Sequence, residues 1–161
     1  MVRTKDETCP VSLDEIKEWN YIEDHVFDNK LRLCIEAAIS AVESYINQVV
    51  WPSTFVFELP VPLCVLEIPI YPVSSIQVSV GDADIPADRY AWDGRVLRID
   101  GPLGEGKMTV TVQAGNATLE QDVKSAILLI ASELFRNPTD SVKTLPTTSK
   151  LLLDPHRNAN I

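Results

Sequence analysis

The chain has 161 residues, 45% hydrophobic and 23% charged, which suits a single soluble globular domain with a real core. Its net charge of −9 argues against a nucleic-acid groove binder, whose footprint is a basic patch. No apolar run approaches the ~18 residues of a membrane span, the N-terminal MVRTKDETCPVSLDE lacks a signal-type apolar core, and Cys9, Cys34 and Cys64 form no CxxC pair. These features predict a chain made in a cytoplasm, with no membrane partner, zinc site or redox motif.

Residues 1–10 are polar and read as a free N-terminal segment. Ser12-Leu13-Asp14-Glu15 reads as a capping box, in which the Ser12 hydroxyl takes the Glu15 amide and the Glu15 carboxylate takes the Ser12 amide. A short helix over 13–19 should follow, then a connection over 20–26. Asp28 is placed to cap a long helix over 29–49. Leu31, Ile35, Ala38, Val42, Ile46 and Val49 form its stripe, with Arg32, Glu36, Ser40, Glu43 and Asn47 opposite. Cys34, Ala37, Ile39, Ala41 and Tyr45 widen the apolar arc to about 200°. A helix lying on one side of a small core needs about half of that. Leu33 adds an apolar residue to the polar side. Two readings fit: a central helix of a well-packed monomer, or a helix packed both on its own core and on a neighbouring subunit.

Trp51-Pro52 closes the helical region, because proline disfavours helix in the residue before it. The runs 55–59 and 64–68 are β-rich and punctuated by Pro60, Pro62, Pro69 and Pro72, which implies short or edge strands. Residues 75–80 alternate, with Ile76, Val78 and Val80 on one side. Tyr90-Ala91-Trp92, Asp93-Gly94 and Val96 to Ile99 read as a hairpin about an Asp-Gly turn. Residues 101–106 form another turn, and Met108 to Gln113 alternates cleanly as a strand. Thr118-Leu119-Glu120-Gln121 reads as a second capping box, opening a helix over 119–136. Its main stripe is Leu119, Val123, Ala126, Ile127, Ile130 and Leu134, and Leu128 and Phe135 make a second stripe on the far side. Asn137-Pro138 ends it. The tail, 139–161, reads as a polar linker, a short helix over 149–153 and a closing Asp154-Pro155-His156-Arg157.

Helices, then about six short strands, then helices indicate an α+β fold and not an alternating α/β one. The simplest packing pairs the two long helices in a single connected domain over 1–161. Its helical body is 12–50 and 118–153, its β-rich insertion of mostly antiparallel strands is 53–115, and its flexible ends are 1–10 and 139–161.

No motif supplies a catalytic mechanism. Gly101-Pro102-Leu103-Gly104-Glu105-Gly106-Lys107 matches most of a phosphate-binding loop, but Met108 stands where Ser or Thr is needed. A strand also follows, where that loop requires a helix whose amides hold the phosphates. Asp82, Asp84 and Asp88 lack the glycine and glutamate of a calcium loop. His25 and His156 have no nucleophile or acid at a recognisable spacing. The expectation is therefore no enzyme, with no catalytic, cofactor or metal residues. From 14 to 43, the acids Asp14, Glu15, Glu18, Glu23, Asp24, Asp28, Glu36 and Glu43 face only Lys17, Lys30 and Arg32. This is either a solvated face or a negative wall that repels a polyanion.

Taken in order, several stretches resemble the head–tail connector (adaptor) proteins of long-tailed bacteriophages, prophages and gene transfer agents. Val11 to Lys17 is similar to the family's opening before a short helix. Lys30 to Tyr45, with Ile35-Glu36-Ala37-Ala38 and Val42-Glu43-Ser44-Tyr45, is similar to its first long helix, and Trp51 stands where an aromatic often follows. Pro72-Val73-Ser74-Ser75-Ile76, Tyr90, and Val110 to Gly115 are similar to its strands. Leu119 to Arg136 is similar to its second long helix, and Leu151 to Arg157 to its closing segment. Phe135-Arg136-Asn137-Pro138 departs from the usual Tyr-x-x-Arg, and His156 stands where tyrosine is common.

The resemblance implies a structural virion protein that forms a ring beneath the portal, usually twelve-fold in the virion. A stopper or tail-completion protein lies below, and DNA passes through the centre as cargo. It implies a location in the virion neck, after assembly in the host bacterial cytoplasm, and no cofactor. Leu33, Leu128 and Phe135, off the main stripes, are the candidates for subunit packing. Leu151, Leu152, Leu153 and Arg157 in the tail are the candidates for portal docking. A monomeric binding module with a site on the β insertion is the alternative from another class, and an enzyme with a dispersed acidic site is a third.

Overall fold

The computed structural model describes residues 1–115, 118–137 and 145–158, and the chain divides into two units. The first holds residues 1–7 and 52–116, and the second holds 8–51 and 117–161.

The first unit is built from eight strands: β1 (Val2–Lys5), β2 (Ser53–Leu59), β3 (Val65–Glu67), β4 (Val73–Val80), β5 (Ala83–Ile85), β6 (Tyr90–Trp92), β7 (Val96–Ile99) and β8 (Met108–Ala114). They form a five-stranded sheet in the order β1-β2-β8-β4-β5 and a three-stranded sheet in the order β3-β7-β6, with every pairing antiparallel. The central strand β8 buries Met108, Val110, Val112 and Ala114 and turns Thr109, Thr111 and Gln113 the other way, as its alternation predicts. Its partners supply the same face. Val78 lies opposite Val110, Val80 opposite Met108, and Phe55 opposite Val112. Each such buried side chain contributes roughly 1.5–3 kcal/mol of transfer free energy. The Tyr90 hydroxyl donates to Ile76 O at 2.7 Å, tying the three-stranded sheet to β4.

The β6–β7 hairpin forms, but its tip is shifted by one residue. The Asp93 amide donates to Val96 O, so Gly94 and Arg95 occupy the tip and Gly94 takes the positive φ of +98°. The Asp93 carboxylate accepts the amides of Val96 and Arg95, which together with Arg98 hold it below the usual carboxylate range. The 101–107 stretch is a turn into β8, and Lys107 pairs with Glu58 at 2.7 Å. A strand thus follows this glycine-rich run, as the sequence indicated.

The N-terminus is a correction. Residues 2–5 are not a free segment but the edge strand β1, paired with β2 in the register Val2↔Val56 to Lys5↔Ser53. The Arg3 guanidinium lies 5.3 Å from the Phe55 ring centroid and donates to Ser53 Oγ at 3.1 Å.

The second unit contains α1 (Leu13–Asn20), α2 (Asp28–Ile46), α3 (Gln121–Arg136) and α4 (Thr147–Leu153). Its core joins Leu31, Ile35, Ala38, Ile39, Val42 and Ile46 of α2 to Val123, Ala126, Ile127, Leu128, Ile130 and Ala131 of α3, with Ile16 from α1 and Leu153 from α4. On α2 the buried positions span about 140°. Of the rest of the apolar arc, Ala41 and Tyr45 are half-buried and Ala37 is exposed, as is Leu33 on the polar side.

Helix ends differ from the periodicity. Asp28 does not cap α2; it lies in the first turn and accepts from Lys17 Nζ at 2.8 Å, and that hydrogen bond holds its carboxyl below the usual range. α2 ends at Ile46 and not at 49, because Asn47 turns left-handed at φ 53°. The Glu43 carboxylate then accepts the amides of Val50 and Trp51. The second capping box is absent: α3 starts at Gln121, and Glu120 makes no side-chain cap.

Candidate interaction surface

Helix α1 is fixed at both ends. Its capping box forms as predicted, with the Ser12 amide donating to Glu15 Oε2 at 2.8 Å and the Glu15 amide to Ser12 Oγ at 3.2 Å. Lys124 of α3 forms an ion pair with Glu15. Burial raises the Glu15 carboxyl, but the hydrogen bonds from Lys124 and Ser12 outweigh it, so its pKa lies below the ordinary value. At the other end the Asn20 amide group donates to Ile16 O and to Ser132 Oγ, both at 2.9 Å. Ser132 Oγ itself donates to Leu128 O at 2.7 Å. This chain of bonds clamps α1 onto α3.

Between these clamps lies an open groove of about 590 Å³, lined by Glu15, Glu18, Trp19, Tyr21, Gln121, Lys124 and Leu128. Leu128, 5% exposed, is its apolar lining, while Trp19 and Tyr21 are 43% and 95% exposed. Tyr21 caps α1 in the left-handed region at φ 55°, a place normally held by glycine or asparagine. For a residue with a Cβ that conformation costs about 1–2 kcal/mol.

The predicted packing residues separate into two kinds. Leu33 is exposed and available. Leu128 was expected on the far side of α3, but it is a core residue, because α1 covers that side of the helix. Phe135 is half-buried and engaged within the unit. Its ring meets Phe27 edge-on at 5.6 Å, Lys30 Nζ lies 4.4 Å from its centroid, and Lys30 donates to its carbonyl at 2.9 Å.

The tail residues divide likewise. Leu151 is exposed, Leu152 half-buried and Leu153 fully buried. Arg157 is exposed and lies 5.6 Å from the Tyr45 ring centroid. Residues 145–158 are not a loose arm. The Asn158 amide donates to Ile46 O at 2.8 Å, the Tyr45 hydroxyl to Asp154 Oδ1 at 2.6 Å, and the Gln48 side chain to His156 O. The 139–144 and 159–161 parts of the expected tail lie outside the described residues.

Sequence reasoning missed Trp19 and Tyr21 and a loop in the β unit. Val61, Leu63 and Cys64 of that loop, and Val65 at the start of β3, are all exposed. Its signal was the run Pro60-Val61-Pro62-Leu63-Cys64-Val65, whose prolines read as strand-breaking and whose Cys64-Val65 read as the start of a β-rich run. Among the described residues, no three His, Cys, Asp or Glu side chains gather to hold a metal ion, and no helix is long and apolar enough to cross a membrane. What the surface offers chemically is binding: aromatic and aliphatic area beside carboxylates.

No protein-family model and no curated protein matches the chain. Its fold is nevertheless shared with chains of solved particles. A chain in the neck of an empty gene transfer agent (GTA) particle, computed with C6 symmetry, superposes with a TM-score of 0.75 at 18% identity. One in the neck of a native GTA particle, computed with C12 symmetry, gives 0.71 at 17%, and one in the virion of the native particle gives 0.74 at 18%. Each match covers 100% of this chain and 97% of the other. At such identities the likeness is one of fold, and it agrees with the resemblance to head–tail connectors in the sequence.

Proposed function

We propose that this chain, which shares its fold with chains of gene transfer agent necks, is a structural component of a phage-like neck and assembles there as a ring. The observation that carries this reading is the full-length fold likeness to chains of necks computed with C6 and C12 symmetry. The finer reading is an adaptor between the portal above and a stopper or tail-completion protein below, with DNA passing through. Two surface features support it. In the helical unit Asp14, Glu18, Glu23, Asp24 and Glu36 are all exposed, a distribution that lets a polyanion slide without sticking. Leu33 leaves a large apolar side chain in water on α2, with Ala37 exposed one turn on.

In this reading Leu33 lies in a contact between copies, and Leu151 and Arg157 face the portal. Leu153 carries no such role, since its side chain is spent in the core, and Leu128 is a core residue that reaches the surface only as the apolar lining of the α1–α3 groove. Deleting the whole tail is therefore a poor test of docking, because it removes Leu153 from the fold. The test is Leu33→Asp, read by sedimentation velocity after co-expression with the cognate portal. The variant should keep the thermal stability of the parent within about 0.5 kcal/mol, as exposed substitutions do, and lose the ring. A ring that persists unchanged overturns this use of Leu33. A parent chain that stays monomeric beside portal favours a monomeric binding module.

A further inference from the structure

We propose that the α1–α3 groove of one copy receives the apolar loop 60–65 of a second copy, and that this is the contact that closes the ring. The inference rests on the ring reading and names the two surfaces that would make it. It begins from Tyr21. Its backbone occupies a conformation that costs a non-glycine residue about 1–2 kcal/mol, yet its ring is 95% exposed and recovers almost nothing within the chain. The fold uses that backbone to close α1, with the Tyr21 amide donating to Glu18 O and the Ile22 amide to Lys17 O, but the cap needs no aromatic ring, since glycine or asparagine serves there at less cost. Trp19, half out of water, lines the same groove together with Leu128. Tryptophan and tyrosine are the side chains that most often anchor protein interfaces.

The loop is the occupant whose chemistry fits. Val61, Leu63 and Val65 are 64%, 44% and 58% exposed, in a connection that leads to β3 at the edge of its sheet. Pro60 and Pro62 fix two of its φ angles, and the Leu63 amide meets Met108 Sδ at 3.4 Å, so the loop loses little freedom on docking. It is also uncharged. Two copies of a chain at −9 repel each other, and an uncharged segment enters a groove rimmed by Glu15 and Glu18 without adding to that repulsion. A ring of more than two copies requires two different patches per subunit, because a patch that pairs with itself gives a closed dimer. The groove and the exposed apolar loop are two such patches.

Cys64 makes the contact testable in the full-length chain, since it is exposed in the loop while Cys34 is buried. In a Cys9→Ser background, Glu18→Cys places a thiol on the groove rim and leaves Tyr21 and Trp19 in place. A short bis-maleimide should then join chains into a covalent ladder, and Cys64 alone should give none. Leu63→Asp or Tyr21→Gly added to the Glu18→Cys protein should cut the ladder about tenfold, and Leu151→Cys in place of Glu18→Cys should not support it. The contact is overturned if Cys64 alone yields dimers, or if the Glu18→Cys protein forms rings by sedimentation without a ladder; the second result leaves the neck reading standing. A chain that neither cross-links at its highest soluble concentration nor appears in purified particles overturns both.

Discussion

Leu153→Ala decides whether the C-terminal segment is part of the fold or an arm added to it. Leu153 is fully buried where α4 packs on α3, whereas Leu151, two residues earlier in the same helix, is 68% exposed. Truncating a buried leucine removes its transfer free energy and leaves a cavity, together about 2–5 kcal/mol. Truncating the exposed one should stay within about 0.5 kcal/mol. With a urea slope of about 2 kcal/mol/M, the first change lowers the unfolding midpoint by about 1–2.5 M. At this chain length it should also lower Tm by about 5–15 °C. Trp92 belongs to the β unit, so a Trp92→Phe background leaves Trp19 and Trp51 as fluorescent reporters of the helical unit. The comparison is between Leu153→Ala and Leu151→Ala at equal slope. Equal midpoints for the two variants would refute the packing of α4 on α3, and with it the argument that the tail is core.

Tyr21→Gly should raise the stability of the helical unit by about 0.5–1 kcal/mol in urea, because relief of the left-handed strain exceeds the entropy glycine adds to the unfolded chain; a loss of stability would show that Tyr21 is held by contacts within the fold. The Glu15 carboxyl titrates below its ordinary value of 4.5, so its pairing stabilises the fold above that pH and is lost as pH falls through the lower, folded value. Glu15→Gln, which keeps a capping residue at the same place, should therefore have a shallower fall of Tm with acid below that pH than the parent. An unchanged acid slope would mean that the Lys124–Glu15 pair contributes nothing.

Three local signals in the sequence held, while two others, the Asp28 cap and the second capping box, did not. Ser12 and Glu15 lie three residues apart, and their capping box needs nothing from elsewhere in the chain. The alternation of β8 and the stripe of α2 are likewise periodicities of one segment packed against one core. Most of the rest that escaped depends on partners distant in the chain. Val2 to Lys5 read as a free end, because an edge strand carrying Arg3 and Lys5 has little apolar pattern and gains its place by pairing with residues 53–56. Leu128 read as spare apolar surface, because seven-residue spacing from Phe135 does not reveal that α1 lies over it. The end of α2 was misplaced by three residues, since Val49 continues the stripe while the left-handed turn at Asn47 has already stopped the helix. The candidate groove had no periodic signature at all. It depends on where α1 ends against α3, and on a backbone angle at Tyr21 that side-chain patterning does not encode.

Cryo-electron microscopy of purified particles containing this chain tests the central claim most directly. The account predicts a ring of this chain in the neck, with cyclic symmetry, the helical unit's acidic residues toward the channel, and the loop 60–65 of each copy in the groove of the next. Particles whose neck contains no copy of the chain, or contains it singly and outside any ring, would contradict it.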